Sequence, residues 1–214
     1  MSWSEMWAQA MAKPPLSYQS TMREWWAQTQ VGQIQHAEQR PNITYTVTAP
    51  SLTDQQLHSI VGPESSVDLV TAATAVHWFD LDKFYAQVKQ VLKKPGGVIA
   101  VWAYWNLSVD PAVDAVYERF FGRIYPLTHP AVKVVVEEYE TLPFPFAQVQ
   151  AIKMEIEEQR TFDQYLGYFR TWSGLAGREE ILDEFRAEFE AAWGAEFHVT
   201  KSVKFPLYLK VGKV

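Results

Sequence analysis

The sequence predicts an α/β fold built on a parallel sheet. Two continuous apolar runs, residues 67–73 and 98–104, read as strands covered on both faces, the pattern of parallel sheets. Between them, residues 81–92 repeat at helical spacing, with Phe84, Tyr85, Val88, Val91 and Leu92 on one side. The order strand, helix, strand, helix, strand with short turns implies right-handed crossovers.

The other elements follow in order. Trp3, Met6, Trp7, Ala10 and Met11 recur at helical spacing until Pro14 and Pro15. Thr21 and Glu24 form a capping box before a second short helix with Trp25 and Trp26. Residues 32–42 read as a short helix and turn. Residues 43–48 are rich in β-branched side chains and Tyr, so they are expected to form a strand. Residues 53–61 open with a cap, place Leu57, Ile60 and Val61 on one face, and stop at Gly62-Pro63. Pro95-Gly96-Gly97 is a turn. After Asp110, Val113, Val116, Tyr117, Phe120, Phe121 and Ile124 mark an aromatic-rich helix. A proline-rich loop spans 142–146. A strand is expected over 150–162, helices over 162–172 and 179–193, and a long alternating strand over 197–209.

Composition narrows the function. A chain of 214 residues suits one domain, or one domain with an insertion. The formal net charge of −6 argues against a sequence-independent grip on nucleic acid, which needs a basic surface. With no cysteine there is no disulfide framework, zinc–thiolate site or cysteine nucleophile. The N-terminus lacks the basic leader and apolar core of a signal peptide, and the longest apolar run, 97–105, is too short to span a bilayer. A cytoplasmic protein with no membrane partner is expected. The 9 Trp, 10 Tyr and 12 Phe have two readings: a core rich in rings, or a pocket for planar or apolar ligands.

Most catalytic signatures are missing. There is no G-x-S-x-G, no Walker pattern and no G-x-G-x-x-G. His36, His58, His77, His129 and His198 lack metal-ligand spacing, so no metal is expected. Glu137-Glu138 and Glu157-Glu158 are adjacent pairs and read as solvated edges. The informative stretch is 66–105. Its first strand ends in the small residues Thr71, Ala72, Ala73 and Thr74, followed by Val76-His77-Trp78-Phe79. In open parallel sheets, ligands sit beyond the carboxyl ends of strands, so His77 and Trp78 either line a ligand site or pack as a plug.

This stretch resembles the class I S-adenosylmethionine-dependent methyltransferases, specifically the type 11, trans-aconitate methyltransferase-like proteins of the plant and fungal branch. The resemblance is carried by VHWFD (76–80), LKKPGG (92–97), Arg40-Pro41-Asn42, LPFPF (142–146) and Arg170-Thr171-Trp172-Ser173, and it spans about 32–210. It implies a Rossmann-like sheet with a helical cover, S-adenosylmethionine as cofactor and a small-molecule substrate, with a carboxylate among the candidate acceptors. It also implies cofactor contacts at Ala73, Thr74, His77 and Trp78, adenine contacts at Thr48 and Ala49, and substrate contacts at Trp102, Tyr104, Arg170, Trp172 and Ser173. For a hydroxyl or amine acceptor, His77 is the expected catalytic base.

The same resemblance implies a glycine-rich loop and an acidic ribose-binding residue, yet no glycine precedes Gly32. The expectation is therefore a divergent Trp-rich segment at 1–31, followed at 32–214 by a methyltransferase domain that lacks its first strand–helix–strand unit, with helical insertions near 110–145 and 162–193. Trp3, Trp7, Trp25 and Trp26 are expected to cover the strand edge this leaves. Two functional readings follow: methyl transfer to a small molecule, or a catalytically silent methyltransferase-like binding module. An apolar-ligand binder using the aromatic cover is a third. The sequence sets no oligomeric state.

Overall fold

A computed structural model describes residues 40–49 and 52–214. In chain order its elements are α1 (Asp54–Val61), β1 (Leu69–Ala73), α2 (Leu81–Val91), β2 (Val98–Tyr104), α3 (Pro111–Ile124), α4 (Lys133–Val136), β3 (Ala147–Arg160), α5 (Phe162–Phe169), α6 (Glu179–Trp193) and β4 (Lys201–Lys213). They divide into two compact units. An α/β unit takes residues 49–108, 129–158 and 203–214; a helical unit takes 109–128 and 159–202 together with residues 40–48.

Local chemistry starts α1, α2, α3 and α5, whereas α6 begins without a side-chain cap. Thr53 and Gln56 form a reciprocal capping box before α1, and Thr161 and Gln164 do the same before α5. The Asp80 carboxylate accepts from the Lys83 N–H at the start of α2. The Asp110 carboxylate accepts from the N–H groups of Ala112 and Val113, with Pro111 at the first helical position of α3. Each such cap is worth about 1 kcal/mol.

The sheet has the order β1-β2-β4-β3. β1 runs parallel to β2, from Leu69 opposite Val98 to Ala73 opposite Trp102. β2 runs antiparallel to β4, from Val98 opposite Lys213 to Tyr104 opposite Leu207. Along β2, Ile99, Val101 and Ala103 are fully buried on one face. They share a core with Tyr85, Val88 and Leu92 at α2, and with Val135, Tyr139 and Leu142 beyond α4. Burying each large apolar side chain there contributes about 1.5–3 kcal/mol.

The helical unit is held by rings. Phe120, Phe169 and Phe189 are wholly buried, and their centroids lie 5.0–5.8 Å apart. Gly174 permits a close approach: a Cβ there would stand 2.7 Å from Ile124 Cγ2 and 2.9 Å from Thr128 Cγ2. An exposed ion pair between Arg119 and Glu188 and a half-buried one between Lys201 and Asp110 join its elements.

Several sequence expectations need correction. Residues 43–48 form no strand; they are irregular, following a turn at Pro41 and Asn42. β propensity reports fit to a paired, half-buried surface, and the described sheet is built from β1, β2, β4 and β3 alone. The sheet is mixed rather than parallel, because β4 returns antiparallel beside β2. The first apolar run is not buried on both faces: Leu69 is 52% exposed and Thr71, on the same face, is exposed too, while Ala72 is buried on the other. β3 begins three residues before its expected start, α5 ends at Phe169 rather than 172, and β4 is shifted to Lys201–Lys213. The helices and Trp cover expected over residues 1–31, and the helical part of 32–42, lie outside the described residues.

Candidate active site

The carboxyl end of β1 is a strained turn. Thr74 follows the strand at φ +48°, and its N–H donates to the Trp102 carbonyl at 2.7 Å. A β-branched residue in the left-handed region costs on the order of 1–3 kcal/mol and persists only where its surroundings fix it. Asn106, just past the end of the adjacent β2, is also left-handed at φ +53°. Both parallel strands thus leave the sheet through non-glycine residues in this conformation, at the end of the sheet where ligands bind.

A single 3₁₀ turn, Val76–Trp78, follows Thr74. Val76 is fully buried and anchors it, while His77 and Trp78 are half-buried. His77 Nδ1 lies 3.3 Å from the Tyr139 hydroxyl. The His77 and Trp78 rings are 5.0 Å apart, and Trp78 stands 5.2 Å from the exposed His129 ring. Burial pushes the His77 imidazole down to about 4, with His129 adding to the effect. His77 is therefore neutral at pH 7.

Tyr139 comes from a different part of the chain. It is 1% exposed and sits in a tight turn after α4, where Glu138 and Tyr139 are both left-handed, at φ +56° and +60°. Its N–H donates to the Val134 carbonyl at 2.8 Å. The Glu138 carboxylate accepts from Lys153 on β3, which fixes the turn from outside.

Ala73, Thr74, His77 and Trp78 come together at this end of β1. Trp102 and Tyr104 are half-buried on β2, on the face opposite Ile99, Val101 and Ala103, and the Tyr104 ring stands edge-on to Phe205 at 5.6 Å. Thr48 and Ala49 lie in irregular chain rather than at a strand end. Within the helical unit, Arg170 is exposed at the end of α5. Trp172 packs on Tyr117, Phe120 and Phe169, and the exposed Ser173 opens a 3₁₀ turn whose Gly174 and Leu175 are buried. Sequence reasoning missed Tyr139 and Asn106. No local signal marks Tyr139, which is 62 residues from its partner His77.

In open α/β sheets the loops beyond the carboxyl ends of parallel strands are where ligand sites are commonly built. Comparison with known proteins narrows this. Residues 27–101 match a family model described as a methyltransferase domain. A candidate methyltransferase of Dictyostelium discoideum is 28% identical over 193 residues, covering 85% of this chain and 70% of its own length. The solved structure of a candidate type II methyltransferase from Anaeromyxobacter dehalogenans is 37% identical. It covers 85% of this chain and 76% of its own, with a TM-score of 0.70. The chain belongs to the methyltransferase type 11 domain family of the class I S-adenosylmethionine-dependent methyltransferases.

That family implies S-adenosylmethionine. The loop after β1 fits its sulfonium end. No Lys or Arg occurs from Ser66 to Asp82, and the imidazole there is neutral. A cationic sulfur therefore meets no like charge in this loop, and the Trp78 ring offers a face that attracts cations. The sequence holds no G-x-G-x-x-G pattern.

Proposed function

We propose that this chain transfers a methyl group from S-adenosylmethionine to a small molecule, with the turn after β1 at the reacting end. The observation that carries this reading is the strained, cation-free Thr74–Trp78 turn at the carboxyl end of β1, in a chain that shares 37% identity with a solved candidate methyltransferase. Ala73, Thr74, His77 and Trp78 would hold the methionine end of the cofactor. When bound, the cofactor supplies an electrophilic methyl group. The protein residues align the acceptor, exclude water and present a neutral imidazole. Isothermal titration of the full chain with S-adenosylhomocysteine is expected to give saturable heat, weakened at least tenfold by Trp78→Ala.

A second reading has its own support. Among the described residues β1 stands at the end of the strand order, with Leu69 half in solvent, and the sequence holds no G-x-G-x-x-G. Both features suit a methyltransferase-like module that binds without catalysis. An intact cooperative melt with no heat up to millimolar S-adenosylhomocysteine would establish that reading and remove the first.

A further inference from the structure

Hydrogen-bond accounting around His77 fixes a role that composition and spacing leave open. Tyr139 Oη and His77 Nδ1 stand 3.3 Å apart, and one proton lies between them. Two arrangements are possible. If Nδ1 carries the proton, Tyr139 accepts it, and its own O–H must find another acceptor inside the core. Tyr139 is 1% exposed and has no other side-chain hydrogen bond among the described residues. A buried O–H without an acceptor is strongly disfavoured. If instead Tyr139 donates to Nδ1, both groups are satisfied and the imidazole carries its proton on Nε2. His77 Nε2 has no partner among the described residues, and the ring is only half-buried.

We infer that Tyr139 is a positioning residue: its O–H donates to His77 Nδ1 and locks the imidazole in the Nε2–H tautomer. His77 then offers a hydrogen-bond donor and no free lone pair. It serves as a donor to a ligand's lone-pair oxygen or nitrogen, not as the base that removes an acceptor's proton. The turn that delivers Tyr139 agrees with this role. Two successive non-glycine residues, Glu138 and Tyr139, are held in the left-handed region, conformations that persist where the surroundings over-determine them. Burial of both groups keeps the phenol protonated and the imidazole neutral, so the arrangement is complete at pH 7. The ligand chemistry rests on the methyltransferase reading; the tautomer does not.

The test is long-range ¹H–¹⁵N correlation on the ¹⁵N-labelled full chain without ligand at pH 7, with His77 assigned by comparison with His77→Gln. The expected spectrum shows His77 Nδ1 in the unprotonated range and Nε2 protonated. An ordinary neutral hydrogen bond biases two tautomers by roughly three- to tenfold. Tyr139→Phe should therefore move both nitrogen shifts towards each other as the tautomers mix, while the other four histidines stay unchanged. A protonated Nδ1 in the parent overturns the proposal, as does a Tyr139→Phe spectrum with His77 unmoved. If Tyr139→Phe does not fold, the parent spectrum alone decides. Failure of S-adenosylhomocysteine to bind would sink the methyltransferase reading and leave this spectrum untouched, so the two outcomes are separable.

Discussion

The two units spend the same residue types differently. In the helical unit, aromatic side chains provide cohesion: Phe120 alone meets Phe169, Phe185, Phe189 and Trp172. Several of its buried polar atoms, Tyr117 Oη, Tyr165 Oη and Trp193 Nε1, have no partner among the described residues. In the α/β unit, buried tyrosine hydroxyls are used. Tyr85 donates to the Pro143 carbonyl at 2.8 Å, and Tyr139 meets His77. An aromatic content of 14% therefore does not distinguish a core from a site; what each ring's polar atom touches does.

The largest effect should come from breaking the cohesive side. Phe120→Ala removes a wholly buried ring and is expected to cost about 3–5 kcal/mol in urea unfolding. A cost near 1 kcal/mol would show that the helical unit can collapse around the loss. Next comes the positioning side. The folded imidazole of His77 titrates at about 4, below its ordinary value of 6.5. At intermediate pH the unfolded chain binds a proton that the folded chain does not, so stability is full above pH 6.5 and falls as pH drops towards 4. The loss should reach about 3 kcal/mol, and His77→Asn should abolish it. Parallel pH–stability curves for parent and variant would contradict the burial of this imidazole. The smallest effect is expected for Tyr165→Phe, which removes a buried hydroxyl lacking a partner among the described residues. It should leave stability unchanged or raise it by up to about 1 kcal/mol. A clear loss in the melt would show that the hydroxyl is hydrogen-bonded in solution and that the contrast between the units is smaller.

Features set by neighbours in the chain were legible in the sequence. The cap that opens the helix at Thr53 was read from the sequence; Asp80, Asp110 and Thr161, which the reading did not name, start their helices by the same local contact, a side-chain oxygen reaching amides two or three residues on. Gly62 ends α1 with φ +118°, a conformation glycine adopts without strain. The 15-residue helix α6 was legible to its end residues from apolar periodicity. The loop Ala73–Trp78 could be picked out because small residues end an apolar strand there.

Features that depend on distant partners were not. Residues 43–48 have the composition of a strand, but a strand exists only when another strand completes its hydrogen bonds. The direction of β4 beside β2 was likewise not written in either strand's alternation. The left-handed backbone of Thr74 runs against that residue's own preference and is held by the Trp102 carbonyl. Tyr139 gains its role only because a turn after α4 brings its hydroxyl to an imidazole 62 residues away. The sequence by itself determined the described major helices and the position of the loop after β1, because these arise from contacts within a few residues. Only the tertiary structure decided which strand ends the described sheet, which strand ends are strained and which hydroxyl meets His77, because each depends on groups the chain brings together only on folding.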